Sequence, residues 1–228
     1  MLTRLYWSKK HLFEKDTATI FFEKAAKART VLDIGANFGY YTYLAAAAEP
    51  EGKVVAFEPI KYLAEKIKEN AGQNGFDQVV VLNKAVSNKK GEFPFYINTK
   101  SPTMSTLTLE EGQDNSIYEK VTVDLIRIDD FVEENKITGV DLIKIDVEEH
   151  EPEALEGMKK LLERDKPDVI CEILPVDSQD KAEKRDRLVS ILARYGYKSY
   201  WISPKGLIEE KKVVGHQVFN ANYLFTAR

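Results

Sequence analysis

Cysteine is nearly absent. The single Cys171 in 228 residues leaves no intrachain disulfide to be made, and its setting, Val169-Ile170-Cys171-Glu172-Ile173, reads as a buried strand in which the thiol packs as a small apolar group. Long apolar runs are missing too. With no stretch of about 18 apolar residues and no secretory h-region, neither a membrane span nor an export signal is expected, and a cytoplasmic setting follows. Nor is there an excess of positive charge: 33 Lys and Arg stand against 37 Asp and Glu, a formal charge of -4, which lacks the general footprint of nucleic-acid binding. Repeats, low-complexity tracts and Pro/Ser/Gly-rich stretches are also wanting, which argues against long disorder and a flexible linker. What is left, 43% apolar and 31% charged, suits one sizeable core. A single domain over residues 1–228 is expected, with residues 1–29 as an N-terminal helical extension packed on it.

The most informative stretch runs from Thr30 to Thr42. Val31, Leu32 and Ile34 form a short apolar run of the kind found in strands covered on both faces, Asp33 lies at its carboxyl end, and Tyr41, Leu44, Ala45 and Ala48 then recur at helical spacing. Between them, Gly35 and Gly39 allow a tight turn and a close approach to a ligand. A dinucleotide fingerprint wants G-x-G-x-x-G, but Asn37 holds the middle position. Asp33 would oppose a pyrophosphate and favour a cationic ligand, a requirement that the sulfonium and ammonium groups of S-adenosylmethionine meet. A second strand, Lys53 to Phe57, ends in Glu58-Pro59, where a nucleotide-binding α/β unit places an acid on ribose hydroxyls.

The rest of the chain continues the alternation. Asp16 is positioned to cap a first helix whose Ile20, Phe21, Ala25 and Ala28 share a face; Tyr6, Trp7 and Phe13 could join the core or cover a site. Ile60, Leu63, Ala64, Ile67 and Ala71 mark a helix, and Val79 to Leu82 a third buried strand, giving a parallel sheet with right-handed crossovers. Residues 86 to 126 switch to period two, as Phe93, Phe95 and Ile97 and then Val121, Val123 and Leu125 alternate, which predicts strands outside the main sheet. Ser101 to Thr106 between them reads as a mobile acceptor loop or a plain surface loop. Asp141 to Ile145 is a fourth strand finishing at Asp146. The densest polar cluster follows, Asp146-Val147-Glu148-Glu149-His150-Glu151, ahead of a helix that buries Leu155, Met158 and Leu162. A fifth strand at Val169 to Ile173, a helix through Leu188 to Tyr195, and closing strands at Tyr197 to Ile202 and Tyr223 to Thr226 complete the reading.

These blocks together resemble the FkbM family of class I S-adenosylmethionine-dependent methyltransferases. The resemblance covers roughly Thr30 to Ile173 and rests on Asp33 to Thr42, Phe57-Glu58-Pro59, Ala85-Val86-Ser87, Ser105-Thr106-Leu107 and Asp141 to Glu148. In the last block the family has glycine where this chain has Glu149. The resemblance implies a doubly wound, mostly parallel, Rossmann-like α/β sheet of seven strands with helices on both faces and the last strand antiparallel. It implies S-adenosylmethionine as cofactor and O-methylation of a hydroxyl-bearing small molecule or saccharide; from the charge balance and the lack of an apolar span, neither nucleic acid nor membrane is expected as partner. Carried over by residue, Asp33, Gly35, Ala36, Asn37 and Gly39 surround the methionine part, Glu58 the ribose and Ala85 the adenine side. Asp146 borders the transferred methyl, and Tyr40, Thr42 and Pro59 complete the cofactor-binding set.

Methyl transfer to an alcohol needs alignment of donor and acceptor and a base for the hydroxyl proton. His150 is the natural candidate for that base, with Glu148 or Asp146 orienting it or holding the acceptor. A structural His150 tied to neighbouring acids, and a divalent cation on Asp146, Glu148 and Glu172, are the rival readings; His11 and His216 stand alone and suggest no metal site. A nicotinamide oxidoreductase and a non-catalytic cofactor-binding protein remain as alternatives.

Overall fold

Short aliphatic runs alternate with helical stretches along the chain, and in the computed structural model each run becomes a strand. The structure describes residues 14–101, 105–107, 109, 115–214 and 221–227. Tyr6, Trp7, Phe13, His11 and His216, and the middle of the expected acceptor loop, lie outside them. The first half of the chain contains α1 (Lys15–Ala25), β1 (Thr30–Ile34), α2 (Tyr40–Ala48), β2 (Lys53–Phe57), α3 (Lys61–Gln73), β3 (Val79–Leu82), β4 (Ala85–Val86) and β5 (Gly91–Asn98). There follow β6 (Tyr118–Ile126), α4 (Ile128–Glu134), β7 (Leu142–Ile145), α5 (Glu151–Glu156), α6 (Lys159–Asp165), β8 (Asp168–Glu172), α7 (Gln179–Arg194), β9 (Lys198–Ser203), β10 (Gly206–Glu209) and β11 (Asn222–Thr226).

The main sheet has eight strands in the order β10-β9-β11-β8-β7-β1-β2-β3. From β3 to β8 all neighbours are parallel, and the final strand, β11, is antiparallel to both β8 and β9. Seven of these strands reproduce the expected layout. The eighth, β10, corrects it: Ser203 accepts a backbone bond from Lys205 at 3.1 Å in a tight turn that folds residues 206–209 back on β9. All four β10 residues are exposed, so no burial pattern marked it in the sequence.

Period-two alternation sends the two sides of each strand into different layers. Leu32, Val55, Ile143, Val169 and Tyr223 face a core that includes Phe131, Leu155, Leu162 and Leu192 from α4 to α7. Val31, Val54, Leu142, Ile170 and Leu224 face Phe21, Ala25, Leu44 and Ala45 of α1 and α2. Helices therefore cover both faces, and α1 packs beside β1 as its apolar face required. Three details differ from expectation. Asp16 is not the cap; Glu14 takes that place at φ 48 with no side-chain cap bond, its carboxylate turned inward to the Tyr41 hydroxyl at 2.6 Å. The third strand is the sheet edge and only half-buried, with Val80 43% exposed. The helix after Asp146 is two short helices that break at Gly157 and Met158, though Leu155, Met158 and Leu162 are all buried.

Strands β4, β6 and β5 make a separate three-stranded sheet, as the alternation between 86 and 126 predicted. Its apolar face, with Phe95, Val123 and Leu125, packs on Ile60 and Leu63 at the start of α3. That contact sets the small sheet over the carboxyl ends of β1 and β2.

Gly35 governs how β1 meets β7. Its φ is +79°, and a Cβ there would lie 1.8 Å from the backbone oxygen of Asp146. Gly75 has a comparable φ of +70° but open space around it. Gly75→Ala is expected to cost about 1–2 kcal/mol for the left-handed backbone alone. Gly35→Ala adds an unrelieved backbone collision and is expected to cost at least about 3 kcal/mol, or to prevent folding. Urea melts of the two variants check this; equal losses would show the β1 to β7 contact to be slack.

Candidate functional site

At the carboxyl ends of the parallel strands lies a cleft of about 540 Å³, its open mouth included. Gly35 and Asn37 after β1, Glu58 and Pro59 after β2, Ala85 of β4, and Asp146, Glu148 and His150 after β7 all line it. Six of the expected cofactor residues and all three expected catalytic residues therefore share one space. Asp33, Ala36, Gly39, Tyr40 and Thr42 are not on the lining. Asp33 is 1% exposed and accepts the Thr42 hydroxyl at 2.5 Å; Ala36 donates its N–H to Phe57 at 3.0 Å; Gly39 caps α2, and Tyr40 packs edge-on against Tyr41. These residues shape the turn from behind.

The small sheet supplies a wall that the sequence reading missed, Phe95, while Ser105 belongs to the loop expected to face the acceptor. Phe95, Ser105 and Leu107 face the cleft together with Ile60, Leu63 and Lys84, and the Ser105 hydroxyl is spent accepting the Asn98 N–H at 3.0 Å. The alternation of Phe93, Phe95 and Ile97 was the available signal, but it showed a strand, not what the strand would lean against.

Carboxylates dominate the charge. Burial pushes Asp33 up to about 6 against the Thr42 hydrogen bond. Burial likewise lifts Glu58 to about 7, opposed by N–H bonds from Ile60 at 2.8 Å and Asn37 at 2.7 Å. Glu148 reaches about 8 through burial and the nearby Asp146 charge, Glu151 about 7 and Glu172 about 9, burial leading in both. Below them sits Lys144, 0% exposed, with its ammonium 3.2 Å from Asp146 Oδ2 and 5.1 Å from the Tyr41 ring centre. Burial presses its pKa down, but Asp146, Glu14 and Glu172 outweigh that and the net shift is upward. Among the described residues no group of His, Cys, Asp and Glu is arranged to hold a metal ion, so the divalent-cation reading of Asp146, Glu148 and Glu172 finds no such set.

His150 has both ring nitrogens turned toward protein. Nε2 lies 3.0 Å from the hydroxyl of the buried Ser87, and Nδ1 is 3.6 Å from Glu153. Burial lowers its pKa and Glu153 works the other way. Glu148 is placed differently: among the described residues no hydrogen bond or ion pair reaches its carboxylate.

A mostly parallel sheet with β11 reversed beside β8 and a cleft at its carboxyl edge is the class I methyltransferase fold. Over its whole length the chain is similar to an O-methyltransferase from Bacillus cereus in complex with SAH, with a TM-score of 0.57 at 14% identity and 86% of that chain covered. Over 94% of its length it is similar to the O-methyltransferase TomG from Streptomyces achromogenes in complex with SAM, with a TM-score of 0.55 at 14% identity and 80% of that chain covered. Residues 33–199 match the methyltransferase FkbM domain, and the chain belongs to that family. It is 27% identical over 150 residues to the hexuronic acid methyltransferase AglP of Haloferax volcanii, covering 66% of this chain. It is 26% identical over 143 residues to the 2-O-methyltransferase NoeI of Sinorhizobium fredii, covering 58% of this chain. The chain spans 58% of the length of each of these two relatives.

The raised carboxyls have a consequence for stability. A group whose pKa is higher folded than unfolded stabilises the fold fully below its unfolded value, and loses that contribution as pH rises through the folded value. With Asp33, Glu58, Glu148, Glu151 and Glu172 shifted to between about 6 and about 9, the thermal midpoint should fall as pH is raised from about 5 to about 9. Glu148→Gln should soften the decline near pH 8. Calorimetric scans across that range check it, and a midpoint that rises with pH would contradict it.

Proposed function

We propose that this chain is an S-adenosylmethionine-dependent methyltransferase that methylates a hydroxyl of a small molecule or saccharide. The observation that carries the reading is the cleft that unites the Gly35 to Asn37 turn, Glu58 and Asp146. Among the described residues its lining holds three carboxylates, Glu58, Asp146 and Glu148, against one cation, Lys84, itself paired with Asp124 at 3.1 Å. Such a lining suits a cationic ligand and opposes a pyrophosphate. AglP and NoeI, by their names, act on a hexuronic acid and at a 2-O position, which supports a sugar-like acceptor here.

The residues present fit the cofactor. Each Glu58 oxygen accepts one backbone N–H and keeps lone pairs for ribose hydroxyls. Gly35 and Asn37 would hold the methionine end, Pro59 and Ala85 the adenine side, with Asp33, Ala36, Gly39, Tyr40 and Thr42 supporting the turn. When bound, S-adenosylmethionine supplies a methyl group already activated on a sulfonium.

The chain must hold the acceptor hydroxyl in line and remove its proton. Glu148 is the proton acceptor in this reading, because its carboxylate lines the cleft without a protein partner and is more basic than an ordinary carboxylate. A second reading gives that task to His150, whose Nε2 must first leave Ser87. Asp146 holds the methyl-proximal wall through its bond to Lys144.

Labelled S-adenosylmethionine offered with a panel of saccharides, lipids and small alcohols, read by mass spectrometry, tests the activity. Calorimetry is expected to show S-adenosylhomocysteine binding and NAD not binding; the reverse order would end the reading. Glu148→Gln should lower turnover by about 10²- to 10⁴-fold and abolish the rise of turnover with pH through about 8, with affinity for S-adenosylhomocysteine nearly kept. If His150→Asn has that effect and Glu148→Gln does not, the base is His150.

A further inference from the structure

The loop between β7 and α5 has an unusual backbone. Glu148 at φ 48 and Glu149 at φ 70 stand in succession in the left-handed region, which side chains disfavour and glycine tolerates. The double reversal sorts the side chains: Glu148 and His150 line the cofactor cleft, while Glu149 and Glu151 line a separate cavity against α7. Something outside the loop has to hold a conformation that its own residues resist.

Two lysines of α7 reach the turn from outside it. Lys184 Nζ is 2.8 Å from Glu149 Oε2, and Lys181 Nζ, one turn earlier, is 3.7 Å from Oε1. The Glu149 and Lys181 side chains are each 20% exposed, so the pairing is less screened than a surface pair. On the solvent side Asp177 and Asp180 bond the same two lysines at 3.1 and 2.7 Å, keeping them extended along the helix. Arg187, a further turn on, pairs with Glu153 and Glu156 of α5, and Ser178 caps the start of α7. A basic stripe at positions 181, 184 and 187 thus fastens the loop and the helix after it to α7.

We propose that Lys181 and Lys184 are positioning residues. Through Glu149 they hold the left-handed turn that delivers Glu148 and His150 to the cleft, although neither lysine lines that cleft. What the cleft binds rests on the function proposed above; the geometry of the turn does not.

The test exploits glycine. In Lys181→Gln/Lys184→Gln the turn loses its hold, the Asp146-Val147 wall of the cleft that leads into it should yield, and S-adenosylhomocysteine should bind about tenfold more weakly, as one strained residue allowed to relax would permit. The ring resonance of His150, assigned by its loss in His150→Asn, should move as the ring leaves Ser87. Adding Glu149→Gly to the double variant supplies a residue that adopts the turn unaided, and should bring both readouts back to within about threefold of the parent for affinity and to the parent position for the ring. Lysines that merely dock α7 would give no such rescue, so a triple variant still impaired overturns the proposal. So does a double variant that behaves as the parent. Absence of S-adenosylhomocysteine binding in the parent chain would instead sink the proposed function and leave the ring resonance to decide the role of the lysines.

Discussion

One backbone contact governs the arrangement: the α-carbon of Gly35 sits so near the Asp146 carbonyl that a Cβ would fall 1.8 Å from it. Because β1 is flanked by β2 and β7 in parallel register, the contact compresses three strand ends into one edge. Each of those strands carries an acid at or beside its carboxyl end, as Asp33, Glu58 and Asp146, and β8 adds Glu172. The cleft is therefore built by crowding carboxylates where the backbone leaves room for a ligand but not for a side chain.

Crowding has an electrostatic cost that the fold meets incompletely. Among the described residues Lys144 is the only buried lysine or arginine, and it lies beneath the row, bonded to Asp146. Burial and mutual repulsion push the carboxyls around it upward, Glu148 and Glu172 to about 8 and about 9, which favours their protonated forms and so lowers the remaining charge. A ligand that brings positive charge replaces those protons. In that sense the cleft is selective before any shape is considered: a cation relieves the repulsion, and a pyrophosphate adds to it.

Much of this was legible in the sequence because it rests on periodicity and on backbone punctuation. The apolar runs marked the strands along the chain, Gly35 and Gly39 the turn, and the switch to period two at Phe93 the separate sheet, whereas the reversed last strand came from the family resemblance. Legibility stopped where a feature depends on what a residue meets across the fold. Asp33 was recognisable as a strand-end acid, but its burial against Thr42 behind the cleft follows from the path of α2. His150 was recognisable as a titratable group in a polar loop, whereas its bond to Ser87 joins residues 63 positions apart. Lys144 drew no reading of its own within the fourth strand, because its burial depends on layers closing on both sides of it, and β10, exposed throughout, offered no pattern at all.

Surplus negative charge awaiting a cation is the claim on which the functional account turns, and protons report on it directly. Calorimetric titration of S-adenosylmethionine into the protein near neutral pH, repeated in buffers of differing ionisation enthalpy, counts the protons exchanged on binding. A net release is expected, larger than for S-adenosylhomocysteine, whose sulfur is uncharged. Binding with no proton linkage, or with uptake, would contradict the account.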